Sequence, residues 1–166
     1  MMEIAEALAT DRGQPGTTYR ALERLVDRTI GVKLFTLMEI DHDRGVAWRS
    51  YTNMPDSYPP QGEKPRLHNR WSEVVVDRHE TFVANSIDEI AEVFADHEMI
   101  RSLGCESCLN LPVVIRGRLR GTLNCLHDAG HYTPGRVTAA QSLKPAGALA
   151  FLMAESTRNE EGGANG

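Results

Sequence analysis

Residues 104–127 read GCESCLNLPVVIRGRLRGTLNCLH, and the fold turns on how this stretch is read. Two apolar runs flank Arg116-Gly117, a pair suited to a tight turn, so the segment predicts a β-hairpin. The two-residue period of a strand puts Leu109, Leu111 and Val113 on one face, with Cys108, Asn110 and Pro112 on the other. On the returning strand Leu123, Cys125 and His127 share one face, and Thr122, Asn124 and Leu126 the other. Asn110 and Asn124 are the odd residues in this apolar setting, because a buried amide is costly unless it finds partners. A plain two-residue turn at Arg116-Gly117 would pair Asn110 with Leu123 and separate the two amides. A one-residue bulge, expected at Pro112 because proline has no N–H to donate, would bring them onto one polar wall.

The same stretch holds all three cysteines of the chain, Cys105, Cys108 and Cys125, with His127 and His131 close by. Cys105-x-x-Cys108 has the spacing of half a zinc site. Cys125 and His127 as the other half would stand about 6–7 Å apart along a strand, too far for one ion without distortion. A redox pair is usually placed at a helix N-terminus, where the dipole lowers a thiol pKa, and no helix is expected to start here. The third reading makes Cys108 and Cys125 small apolar sheet residues and Cys105 a linker residue.

Outward from the hairpin, Met1 to Thr10 reads as a short helix, and Tyr19, Leu22, Leu25, Val26 and Ile30 fall at helical spacing after a possible cap at Thr17 or Thr18. Gly31 closes that helix. Val32 to Ile40 and Val46 to Thr52 read as a second hairpin around Asp41-His42-Asp43-Arg44-Gly45. Residues 54–65, rich in proline, read as an irregular loop. Helix over Arg70 to His79, a short strand Thr81 to Ala84, a helix capped by Ser86 with Glu89 at the capping-box position, and a helix His97 to Leu103 complete the middle of the chain. Thr133-Pro134 opens a last helix that Pro145 should kink or break, running to about Ser156. Two hairpins separated by helices define an α+β domain with an antiparallel sheet. Residues 1–156 form the single expected domain, and residues 157–166 a disordered polar tail.

At 166 residues, 41% hydrophobic and 25% charged, the chain is long enough to bury one core. Its net charge of −5 and lack of a basic run argue against nucleic acid as a partner. No segment approaches the roughly 20 apolar residues of a membrane span, and acids at Glu3 and Glu6 disfavour a secretory leader. An odd number of cysteines without export features points to a reducing compartment, and the cytoplasm is the expected location.

The phrase LNLPVVIRGRLRGTLNCLHDAGHYTPGRV, with a strand proline, a short turn, a Gly-Thr-Leu-Asn strand and a Tyr-Thr-Pro helix entry, resembles the GAF domain family over roughly Gly16 to Ser156. The resemblance implies a central antiparallel sheet of five to six strands. Terminal helices would pack on one face, and the insertion of residues 54–104 would lie over the other. It implies a small-molecule site between sheet and insertion, with the Asn124 position facing it, and a homodimer formed through the N- and C-terminal helices. One branch of the family, the free methionine sulfoxide reductases, is enzymatic. Counting from Pro112, its nucleophile position is Arg101 here, and its acid positions are Cys108, Asn124 and Leu126, so its chemistry does not carry over.

The expected ligand-binding residues are Asn110, Asn124 and Cys108 from the hairpin, Trp48 and Tyr51 from the second strand, and Tyr58, Trp71 and His97 from the insertion. On the second strand Trp48 and Ser50 share one face, with Arg49 and Tyr51 as the alternates; His68, His79 and Phe94 are further candidates in the insertion. No catalytic or metal-ligating residue is assigned, and no cofactor follows from the sequence. The expectation is a non-catalytic sensory module for a small molecule. The rival readings are a redox or thiol enzyme distantly similar to free methionine sulfoxide reductase, a metal or haem sensor, and a dimerisation scaffold.

Overall fold

The computed structural model describes residues 1–163. Six strands form one antiparallel sheet in the order β3-β2-β1-β6-β5-β4: β1 (Leu34–Asp41), β2 (Val46–Thr52), β3 (Gln61–Pro65), β4 (Phe82–Ala84), β5 (Ser107–Ile115) and β6 (Arg118–His127). Helices α1 (Met2–Leu8), α2 (Gly16–Ile30), α6 (Pro134–Ala140) and α7 (Lys144–Gly163) cover one face. Helices α3 (Arg70–Ser72), α4 (Ile87–Ala91) and α5 (His97–Ser102) lie over the other. The α+β arrangement expected from the sequence is the one observed.

Each face is bonded to its layer by the side chains that the strand period assigns to it. Leu109, Leu111, Val113, Leu123 and Cys125 pack with Tyr19, Leu22, Val26 and Ile30 of α2 and with Phe151 of α7. Helix α7 presents Ala146, Gly147, Ala150 and Ala154 to the sheet, all buried. A methyl group on Gly147 would stand 2.8 Å from Leu123 Cδ1 and 2.9 Å from Val113 Cγ2, so glycine sets how closely this helix approaches. Cys108, Leu126 and Leu34 belong to the opposite core with Trp71, Val75, Phe82 and Ile90.

The hairpin contains the expected extra residue at a different place. Ile115 pairs with Arg118 and Val114 with Leu119, whereas Val113 pairs with Gly121, so Arg120 of β6 is the bulged residue. Pro112 is paired with Thr122, and Asn110 stands opposite Asn124. Glycine at 121 is required beside this bulge, since a Cβ there would lie 2.2 Å from the backbone oxygen of Met38.

Other boundaries differ for local reasons. Gln61–Pro65, expected as loop, is an exposed edge strand on β2, a position that tolerates proline because one side of the strand needs no partner. Helix α2 starts at Gly16 without a side-chain cap; Thr18 is buried inside it and donates to Gln14 Oε1 at 2.8 Å. The helix expected over 70–79 is a single turn capped reciprocally by Asn69 and Ser72, then a π-helical turn over Glu73–Asp77, where three successive valines lower α-helical propensity. Ser86 caps α4 as expected, but Glu89 reaches the Asn85 N–H, one residue earlier than the capping box requires. The break in the last helix is a 3₁₀ turn over Gln141–Leu143, which leaves Pro145 in the first turn of α7, where its missing N–H is harmless. The polar tail expected from Thr157 is instead helical to Gly163, anchored by Arg158 Nη2 at 2.7 Å from Glu39 Oε2; the rest of that tail lies outside the described residues. Among the described residues no helix is long and apolar enough to cross a membrane.

Candidate functional site

Between the sheet and the insertion lies a cavity of about 420 Å³. Its floor is the insertion-facing side of the three central strands: Thr36, Met38 and Ile40 of β1, Asn124 and Leu126 of β6, and Cys108 and Asn110 of β5. Trp71, Val93, Phe94 and Ile100 form the roof, and Tyr58, Asp96, Arg49, Lys64 and Arg66 line the outer end. The volume is that of a small-molecule site, and an apolar wall with a few convergent polar groups is the usual composition of one.

The polar groups form one connected chain. Trp71 Nε1 donates to Asn110 Oδ1 at 3.0 Å, and Asn110 Nδ2 donates to Asn124 Oδ1 at 2.7 Å. Thr122 Oγ1 donates to the same oxygen at 2.8 Å, and Asn124 Nδ2 donates to Thr36 Oγ1 at 3.2 Å. The bulge at Arg120 makes this possible by bringing the asparagines opposite each other, and Thr36 reaches them because β1 pairs Thr36 with Asn124. Burial in an apolar wall makes such a network costly to break and rigid when complete. At the outer end the Arg49 guanidinium lies 3.7 Å from the Tyr58 ring centre and donates to the Pro59 carbonyl at 2.8 Å. The Tyr58 hydroxyl donates to Asp96 Oδ2.

Six of the eight expected site residues border this cavity: Asn110, Asn124, Cys108, Trp48, Tyr58 and Trp71. Tyr51 does not, because Ser50 is bulged out of the β1–β2 ladder between Tyr51 and Arg49 and the side-chain alternation changes there. Tyr51 packs on Tyr19 and Phe35 in the helical layer and donates to Glu23 Oε2 at 2.5 Å. The same change makes Arg49, opposite Met38, a cavity residue and leaves the Trp48 ring 5.7 Å from the Arg158 guanidinium, so Trp48 contributes only at the border. His97 is also outside the cavity; its Nδ1 bonds the Phe94 carbonyl at 3.1 Å and ties the start of α5. Neither His68 nor His79 borders the cavity, whereas Phe94 does. Thr36 went unassigned, although a lone threonine on the Leu34, Thr36, Met38, Ile40 face was the signal for it.

The cysteines are divided between the faces. Cys125 is buried in the helical core and Cys108 on the cavity side, so the two cannot share an ion. Burial pushes the Cys108 thiol up to about 12 and raises those of Cys105 and Cys125 as well, the reverse of an activated nucleophile. His127 and His131 stack with ring centres 3.5 Å apart; His127 Nδ1 accepts from the Asp128 N–H and His131 Nε2 bonds the Ile30 carbonyl, so both are engaged in the chain's own structure.

A six-stranded antiparallel sheet with terminal helices behind it and a capped cavity in front defines a class of small α+β domains. This chain belongs to the GAF domain family, whose model matches residues 17–151. Its fold is similar to that of the GAF domain of a two-component sensor histidine kinase from Bacillus halodurans, at 12% identity and TM-score 0.69, covering 87% of this chain and 97% of that one. The GAF domain of a phosphoenolpyruvate-protein phosphotransferase from Coxiella burnetii is similar at 15% identity and TM-score 0.63, covering 97% and 98%. The red light-absorbing state of NpR6012g4, a red/green cyanobacteriochrome, is similar at 14% identity and TM-score 0.59, covering 85% and 94%. No curated protein matches the chain.

Proposed function

We propose that the chain is a sensory module that binds a small molecule in the cavity between sheet and insertion, without transforming it chemically. The observation that carries this reading is the hydrogen-bonded chain Trp71–Asn110–Asn124–Thr36 along the wall of a ligand-sized cavity. A purely structural core would be as stable, or more so, with apolar residues at these positions, whereas a binding site uses fixed polar groups to orient its ligand. The sensory settings named for similar folds, a sensor histidine kinase and a cyanobacteriochrome, favour the same reading. The raised thiols disfavour the thiol-enzyme alternative.

A route from cavity to terminal helices is built into β1. Thr36 and Met38 line the cavity, while Glu39, pointing the other way, accepts from the Tyr19 hydroxyl of α2 at 3.2 Å and from Arg158 of α7. A ligand that favours one placement of β1 therefore biases both helices together. The same reading makes these helices the contact surface of a homodimer in the cytoplasm, with the exposed Leu152 of α7 on it. Calorimetric titration with a panel of polar and aromatic metabolites tests the proposal: one or more compounds should bind with one site per chain, and loss of heat on Asn124→Leu should follow. A panel without a single binder would remove the reading, and light scattering of the purified chain tests the dimer separately.

A further inference from the structure

The wall of the cavity has a direction. Among its members only the Trp71 indole is a donor that cannot accept, so it must face the oxygen of Asn110. Each later assignment follows: Asn110 turns its NH₂ to Asn124 Oδ1, which also takes the Thr122 hydroxyl, and Asn124 turns its own NH₂ to Thr36 Oγ1. Both amide oxygens are thereby occupied. Thr36, 3% exposed, accepts one bond and keeps a hydroxyl proton with no acceptor among the described residues. Each asparagine also retains a second N–H beyond the ladder. The unused groups of the floor are thus mainly donors, and each accepting oxygen already holds at least one bond.

The outer end has the same sense. Arg49 and Lys64 are cationic there, and Lys64 has no ion-pair partner among the described residues. Asp96, the carboxylate among the lining residues, gives one oxygen to the Tyr58 hydroxyl. Trp71 and Phe94, with ring centres 6.1 Å apart, supply an aromatic roof.

Resting on the reading of this cavity as a ligand site, we infer that it selects a carboxylate carried on a flat aromatic body, with the carboxylate oxygens on Thr36 and the two asparagine amides. An amine of the same size would place donors against donors along the floor, and the carboxylate that could receive it, Asp96, stands at the outer end, away from Thr36 and the asparagines. Isothermal titration of the full chain with indole-3-acetate, tryptamine and indole tests this. The acid should bind at least about tenfold more tightly than the amine, one charge-assisted hydrogen bond's worth of discrimination. Thr36→Val should erase that preference while indole still binds, and Thr36→Ser should restore it, with circular dichroism confirming that each variant is folded. Trp71→Phe, which frees the ladder to reverse, should narrow the gap. Equal or tighter binding of tryptamine, or binding of indole without indole-3-acetate, would overturn the inference and leave the site itself standing. Binding by none of the three would overturn it too, and the metabolite panel then judges the site independently.

Discussion

Trp71→Phe removes one atom that matters, the indole N–H bonded to Asn110 Oδ1 at 3.0 Å. Trp71 is 3% exposed and Asn110 4% exposed, so water does not replace the lost donor readily. The remaining contact to that oxygen is the Cys108 thiol at 3.9 Å, a weak donor. Stranding a buried acceptor costs about 1–3 kcal/mol. The volume of the missing ring edge adds roughly 1 kcal/mol at about 24 cal/mol per Å³. The expected destabilisation is therefore about 2–4 kcal/mol, readable as a lower midpoint in urea by far-ultraviolet circular dichroism. Asn110→Leu should cost a comparable amount, since it leaves the indole N–H without an acceptor and takes one of two donors from Asn124 Oδ1. Because the two substitutions remove the same bond, the double variant should be more stable than the sum of the singles by about 1 kcal/mol or more. Additivity within about 0.3–0.5 kcal/mol would refute the claim that the indole anchors the amide chain.

The buried thiols, with Cys108 held up to about 12, should resist alkylation at pH 8 in the folded protein and react together on unfolding; one thiol labelled within minutes would reopen the thiol-enzyme reading. His127 is held below the ordinary histidine value by burial and by His131, so its neutral form is the one the fold favours. Its contribution is present above about pH 6.5 and is lost as pH falls below that through the lower folded value, and His127→Gln should flatten the stability-against-pH curve in that window. An unchanged slope would show that His127 does not set it. Arg158→Ala should destabilise by about 1–3 kcal/mol, since it leaves Glu39 buried with Tyr19 alone; a change below about 0.3 kcal/mol would show that the helix beyond residue 156 contributes nothing to the fold.

The hairpin was legible because alternation is a local property, and its two asparagines stood out against apolar neighbours. Where the extra residue sat was not legible: Pro112 is one reason for a bulge, but a glycine at 121 pressed on the Met38 carbonyl put it at Arg120. Bulges are the common cause of the missed residues. Arg49 and Tyr51 share a face by a period of two, but the bulge at Ser50 in β2 sends Arg49 to the cavity and Tyr51 to the helical layer, a change of phase that no such reading can see. The edge strand Gln61–Pro65 escaped for a different reason, since an exposed, proline-bearing strand has neither alternation nor β-forming residues. Helix α7 beyond Ser156 looked like a tail because what holds it, Arg158 on Glu39, spans 119 residues of sequence. Trp71 and Asn124 were each identifiable alone; the bonded chain between them needed the register.

The amide resonances of the wall offer the most direct measurement of the central claim. In ¹⁵N–¹H spectra the Trp71 Nε1–H and the side-chain NH₂ groups of Asn110 and Asn124 should shift together, saturating with one ligand per chain, on titration with any panel compound that stabilises the protein. A compound that binds and stabilises while these three side chains stay unmoved would contradict the account, because the ligand would then occupy some other part of the molecule.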